Sequence, residues 1–273
     1  EVGDWSSDVC SSDLRGLVEG AIMMGASGIQ VKKLSVRYPH AASCALKDAS
    51  LSLSPGSLSA LVGANGAGKS TLFKALVGLI RPQSGTISYD GLGVREALRH
   101  NMVGYVSQRD SIDDTFPLSV EDVIMMGRYG HMGIMRHPCG EDCRAVSSAL
   151  ERVGLSDLRH RQVSELSGGQ SKRMFVARGI AQGARFMLLD EPFAGVDKRS
   201  EATLMTLLEE LAREGTTVLV AVHDLRMAAT AFDQAVLIDR TVVCQGPADE
   251  VLRADHVARA FSVDAHTAQG MVA

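Results

Sequence analysis

A chain of 273 residues with 45% apolar side chains has enough material for one large core and a smaller appended subdomain. Its net charge of −4 at pH 7 gives no footing for nucleic-acid binding, and its best apolar run, residues 218–222, falls far short of the roughly 18 residues of a membrane span. Five cysteines at irregular spacing, with no basic-then-apolar leader, argue for a reducing cytoplasm.

The first residues stand apart. Asp4-Trp5-Ser6-Ser7-Asp8-Val9-Cys10-Ser11-Ser12-Asp13-Leu14 resembles one reading frame of a common sequencing adapter, and Ser/Asp composition cannot build a core. Residues 1–22 are therefore read as a non-native or disordered segment, with Met23 or Met24 as the expected start and residues 23–273 as one domain. Without Glu1, Asp4, Asp8 and Asp13 the remainder is near neutral.

Residues 29–38 alternate through Ile29, Val31, Leu34 and Val36 and predict a strand that leaves Tyr38 at its end, before Pro39. A second strand over 49–53 stops at the turn Ser54-Pro55-Gly56-Ser57. Leu58, Ala60, Leu61 and Val62 then predict a buried strand, and Leu72, Ala75, Leu76 and Leu79 recur at helical spacing. Between them lies Gly63-Ala64-Asn65-Gly66-Ala67-Gly68-Lys69-Ser70-Thr71, the pattern G-x-x-x-x-G-K-S in the strand–loop–helix context it requires. Its glycines let successive N–H groups approach phosphate oxygens, and the helix aims its partially positive end at the same anion. Lys69 is placed to reach β- and γ-phosphates and Ser70 to ligate Mg²⁺.

Residues 86–89 followed by Asp90-Gly91 predict an edge strand and turn, and 103–106 a short strand running into Ser107-Gln108. Beyond Pro117 helices take over: Ser119 to Asp122 has a capping pattern, and a second helix is predicted over 142–153, stopped by Gly154. Residues of about 109–165 form a helical subdomain inserted into an α/β core. Leu166-Ser167-Gly168-Gly169-Gln170 opens a further helix, 186–189 is an apolar strand ending in Asp190-Glu191, 201–213 is an amphipathic helix, and 216–222 is an apolar strand ending at His223. A weak hairpin over 235–245 follows. Strands alternating with helices predict a largely parallel sheet covered on both faces.

In such a sheet ligands bind beyond the carboxyl ends of the strands. The phosphate loop, Gln108, Asp190-Glu191 and His223 all follow strands, so one site can collect them. Asp190 suits Mg²⁺ held through water, and Glu191 can polarise the water attacking a γ-phosphate. His223 can donate to developing charge on that phosphate, and Gln108 can either bind Mg²⁺ or orient the water. Ser167 and Gln170 fit a capping box, yet two glycines in a first turn cost roughly 1 kcal/mol each. Amides bound to phosphate offset that cost, and a second phosphate cradle points to a second copy of the chain.

With these motifs in order, residues 29–250 resemble an ATP-binding-cassette (ABC) transporter ATPase. The resemblance implies a P-loop NTPase core with a mostly parallel sheet, an antiparallel β subdomain and the inserted helical subdomain. It implies ATP and Mg²⁺ as ligands, Tyr38 stacked on adenine, Glu191 as general base and His223 on the γ-phosphate. It also implies a head-to-tail dimer in which Ser167, Gly168, Gly169 and Gln170 close the partner's nucleotide, with Asp197 at the shared interface. Gly179 departs from the pattern, standing where a helix former is expected, at a cost of ~1 kcal/mol. Residues 116–133, with Gly127-Arg128-Tyr129, and Pro192-Phe193-Ala194-Gly195-Val196-Asp197 are similar to the manganese, zinc and iron importer ATPases.

That resemblance implies membrane permease subunits as partners, an extracytoplasmic metal-binding protein indirectly, and a place on the cytoplasmic face of the cell membrane. Siderophore or haem import is the alternative. A soluble ABC ATPase of translation or DNA repair fits less well, since one cassette and no sustained heptads are present. His131, His137, Cys139 and Cys143 match no strong zinc spacing, and Met125, Met126, Met132 and Met135 read as core or docking surface.

Overall fold

The computed structural model describes residues 28–39, 41, 43–108, 117–133, 136–261 and 263–272; the segment 1–22, the expected start and residues 109–116 of the helical subdomain lie outside these. The alternation at the start becomes strand β1 (Ile29–Val36), which buries Ile29, Val31, Leu34 and Val36. It pairs antiparallel with β2 (Leu46–Leu53) and with β4 (Ser84–Tyr89), and β4 pairs in turn with the two-residue β5 (Leu92–Gly93). The expected edge strand, β4, is therefore internal. Its outer partner is a dipeptide just past the Asp90-Gly91 turn, too short to show as a pattern.

The larger sheet runs β10-β9-β3-β8-β7-β6. Here β3 is Leu58–Val62, β6 Val103–Val106, β7 Phe186–Asp190, β8 Thr217–Ala221, β9 Gln234–Asp239 and β10 Thr241–Pro247. All pairs are parallel except the β9–β10 hairpin. Apolar groups line both faces. On one side Leu58, Ala60 and Val62 pack with Met174, Val176, Leu204 and Leu208, and on the other Leu61 packs with Leu72, Phe73 and Leu76. This second core also holds the inner face of the antiparallel sheet, so helix α1 (Lys69–Leu76) is shared by both sheets. Gln245 on β10 bonds both backbone groups of Ser52 on β2, accepting from its N–H at 3.1 Å and donating to its carbonyl, and joins the two sheets.

After the short α2 (Val94–Arg99) and β6, helices α3 (Val120–Met126) and α4 (Gly140–Arg152) pack on α5 (Gly168–Gln182). The Ser119 capping box is present: Asp122 N–H donates to Ser119 Oγ at 3.2 Å, and Ser119 N–H to Asp122 Oδ2 at 2.9 Å. Helix α4 starts two residues earlier than the sequence predicts because Cys139 occupies the N-cap and donates its N–H to Asp142 Oδ2 at 3.0 Å. Asp142 is thus a third-position residue, and its other oxygen accepts from Arg128 Nε at 2.8 Å. Arg128 also donates to the Ala181 carbonyl at 3.1 Å, so one buried guanidinium joins all three helices. Gly127 is required there, since a Cβ would lie 2.3 Å from the Arg178 carbonyl oxygen.

Gly179 is likewise a packing residue rather than a weak point in its helix. A Cβ on it would lie 2.6 Å from Met187 Sδ and Cε, and one on Gly104 would lie 2.8 Å from the same sulfur. The remaining helices are α6 (Lys198–Arg213), α7 (Leu225–Ala231), α8 (Ala248–Val251), α9 (Ala254–Phe261) and α10 (Ala265–Val272).

Candidate nucleotide site

Strand β3 is buried along its whole length and ends at Val62, where Gly63 passes close enough to Ile238 that a Cβ would sit 2.3 Å from its carbonyl oxygen. The chain then turns through Gly66 (φ 81°) and Gly68 (φ 102°), left-handed positions that suit glycine, and enters α1 at Lys69. Lys69 is 6% exposed, with Nζ donating to the carbonyls of Gly63 at 2.6 Å and Ala64 at 3.2 Å. Burial lowers its pKa, and the carboxylates of Glu191 and Asp190 oppose that shift.

The neighbouring strand ends converge on this loop. Asp190, the last residue of β7, is 3% exposed. Burial pushes its carboxyl pKa up, against the lowering effect of a hydrogen bond from the Ser70 hydroxyl. Its Oδ1 is buried with no partner. Glu191 follows at φ 55°, a left-handed conformation that costs a non-glycine residue on the order of 1–3 kcal/mol and that marks sites where geometry matters more than relaxation. One of its carboxylate oxygens accepts from Gln108 Nε2, after β6, and the other pairs with Nε2 of His223, after β8.

Together Ala64, Asn65, Gly66, Gly68, Lys69, Ser70, Thr71, Gln108, Glu191 and His223 line a cleft of about 510 Å³, joined by Ala45. Ala67, within the loop, is buried, and Tyr38 stands beside the loop with Oη 3.3 Å from Thr71 Oγ1. Sequence reasoning missed Ala45, which carries no chemical signal. A hard divalent cation fits this donor set: an unpartnered carboxylate oxygen on Asp190, the Ser70 hydroxyl and the Gln108 amide are oxygen donors of the kind Mg²⁺ takes.

Ser167, Gly168, Gly169, Gln170 and Asp197 do not line this cleft. They form a separate surface. Ser167 Oγ accepts from Gln170 N–H at 3.3 Å and Gln170 Oε1 from Ser167 N–H at 2.9 Å, so the capping box is real, while Gly168 stays exposed at the helix end. Gly169 is pressed on α6, where a Cβ would lie 2.6 Å from Ser200 Cβ and Oγ. Asp197 caps α6, accepting from Arg199 N–H at 3.1 Å and Ser200 N–H at 3.0 Å. The Ser200 hydroxyl and these amides hold its pKa below the ordinary carboxylate value.

Residues 46–194, more than half of the chain, match the family model described as ABC transporter. The chain belongs to the ABC transporter family. Among its ABC relatives, the manganese transport system ATP-binding protein MntA of Synechocystis is 45% identical over 233 residues, covering 85% of this chain and 89% of the relative. The chelated iron transport system membrane protein YfeB of Yersinia pestis is 48% identical over 203 residues, 74% of this chain and 69% of the relative. The cbiO1 structure from Clostridium perfringens, part of the ABC transporter complex cbiONQ, is 30% identical and superposes with a TM-score of 0.73 over 86% of this chain and 94% of that one. The fold is that of an ABC ATPase cassette, a P-loop NTPase-like α/β core. Among the described residues no helix is long and apolar enough to cross a membrane.

Proposed function

We propose that this protein is the ATP-hydrolysing subunit that powers a membrane permease importing a transition metal ion such as manganese, zinc or iron. The observation that carries ATP hydrolysis is the meeting of Lys69, Asp190, Glu191, Gln108 and His223 around one cleft at the ends of four adjacent parallel strands. The metal cargo is supported by the similarity to a manganese transport subunit; the similarity to a chelated iron system favours a siderophore or other iron chelate as the second reading.

Backbone amides of residues 63–71 cradle the phosphates and Tyr38 stacks on the adenine. Lys69, whose ammonium bonds the Gly63 and Ala64 carbonyls and lines the cleft, neutralises the β- and γ-phosphates. Ser70, Gln108 and Asp190 would hold Mg²⁺, which when bound would supply charge neutralisation at the phosphoryl oxygens. Glu191 takes the proton from the attacking water, and Gln108 and His223, both bonded to its carboxylate, fix the direction of its oxygens. His223 is half-exposed towards the cleft and donates to the γ-phosphate.

Ser167, Gly168, Gly169, Gln170 and Asp197 serve the nucleotide of a second copy in a head-to-tail dimer; their separation from the cleft in a single chain supports this. Residues 23–273 act as one cassette, with the helical subdomain of about 109–165 facing the permease at the cytoplasmic side of the cell membrane. An extracytoplasmic metal-binding protein delivers the ion to that permease.

Glu191→Gln tests the reading. The expected outcome is a turnover loss of about 10²–10⁴-fold with ATP-driven dimerisation retained. In metal-starved cells carrying the permease, elemental mass spectrometry is expected to show one metal falling when the variant replaces the native protein. Normal turnover removes Glu191 from the base role, and unchanged manganese, zinc and iron together move the cargo to a chelate or another substrate.

A further inference from the structure

Among the described residues, strand β6 is the outermost strand of the large sheet and pairs with a strand on its β7 side alone. Side chains of α5 bond its other backbone groups. Gln182 Nε2 donates to the carbonyls of Val103 at 2.9 Å and Asn101 at 3.0 Å, and Arg178 donates to that of Tyr105 at 3.0 Å. About one turn from the helix start, Lys172 Nζ reaches past the end of the strand to the Gln108 carbonyl at 3.5 Å. The first three contacts fasten helix to strand. The fourth is different in kind, because Gln108 is a cleft residue whose amide bonds Glu191.

We infer that Lys172 is a positioning residue that ties the Gln108 turn of one nucleotide cleft to the end of α5 presented to the partner's nucleotide. The inference rests on the head-to-tail reading proposed above. The helix that carries Lys172 is capped five residues earlier by Ser167, whose exposed neighbour Gly168 belongs to the separate surface. An α-helix of this length is a stiff rod, rising about 1.5 Å per residue, so its first turns cannot reorient independently of Lys172. Any shift of the Gln108 backbone as its amide exchanges Glu191 for a phosphate or cation is therefore felt at Ser167 and Gly168. Arg178 and Gln182, anchored further along the strand, keep the far end of the rod still.

The test separates binding from coupling. In the full-length Glu191→Gln protein, expected to bind with turnover largely lost, Lys172→Met is introduced and two quantities are measured with MgATP. These are nucleotide affinity of the isolated chain, by displacement of a fluorescent ATP analogue, and the ATP concentration giving half-maximal dimer, by light scattering. The expected result is affinity within twofold of the parent and a rise of about tenfold in the ATP needed for dimerisation, with Lys172→Arg restoring the parent value. A Lys172→Met protein that dimerises at the parent's ATP concentration overturns the inference, as does one in which affinity falls in parallel, because Lys172 then acts only on its own cleft. A Glu191→Gln parent that stays monomeric at saturating MgATP removes the head-to-tail reading, and the inference with it.

Discussion

Gly179 offers a case in which helix propensity and packing predict opposite signs. Alanine in a helix interior is worth about 1 kcal/mol over glycine, so on propensity alone Gly179→Ala stabilises. The new Cβ, however, would lie 2.6 Å from Sδ and Cε of Met187, a side chain 1% exposed whose sulfur is also close to Gly104. Overpacking of this kind costs about 1–3 kcal/mol, which outweighs the propensity gain and leaves Gly179→Ala destabilised by about 1 kcal/mol. Shortening Met187 to alanine costs about 2–5 kcal/mol by itself but opens the space, and in that background Gly179→Ala gains about 1 kcal/mol. The four urea-unfolding midpoints give a coupling energy of about 2 kcal/mol. If Gly179→Ala stabilises the native background as much as the Met187→Ala one, the close contact with Met187 does not govern the residue and the packing account is wrong.

Asp190→Asn removes a carboxylate whose pKa is raised chiefly by burial, so the ionised form costs stability that the native protein loses as pH rises through that elevated pKa. The variant is expected to unfold at higher urea than the native protein without nucleotide at neutral pH, and to gain less from MgATP than the native form does; a less stable variant refutes this. Asp142 works in the reverse sense: its backbone bond from Cys139, with Arg128, lowers its pKa from 3.8 to about 2. The stabilisation, about 2 kcal/mol, is whole above pH ~4 and fades as pH falls towards ~2. Asp142→Asn should lose it at neutral pH and show a flatter stability profile over that acid window. Gly169→Ala, whose Cβ meets Ser200 at 2.6 Å, is expected to push the start of α5 off α6, weakening ATP-driven dimerisation about tenfold or more while binding of ATP to the monomer stays within twofold.

Much of the site could be read in advance because its signals are local. The glycine loop declares itself by spacing, and an apolar run ending in Asp190-Glu191 or His223 marks a strand end whatever lies beside it. Capping at Ser119 and Ser167 is equally local. The misses are mostly contacts that no local sequence pattern announces. Strand β4 is internal because of the two-residue β5, Gly179 on helix α5 answers to Met187 on strand β7, and Lys172 meets Gln108 across 64 residues of chain. The early start of α4 has a chemical cause: a thiol stands where capping rules look for an oxygen.

The Gln245 bridge between β10 and β2 gives the cleft a fixed scale. Tyr38 follows the antiparallel sheet and the phosphate loop follows the parallel one, and these sheets share α1 and are fastened at Ser52. On the proposed reading, the span from ring platform to phosphate cradle is therefore set by the scaffold, much as a ruler is set by its markings. Di- and triphosphates of the same base register alike at the Tyr38 end. The difference between them falls wholly at the other, where Gln108, Glu191 and His223 stand.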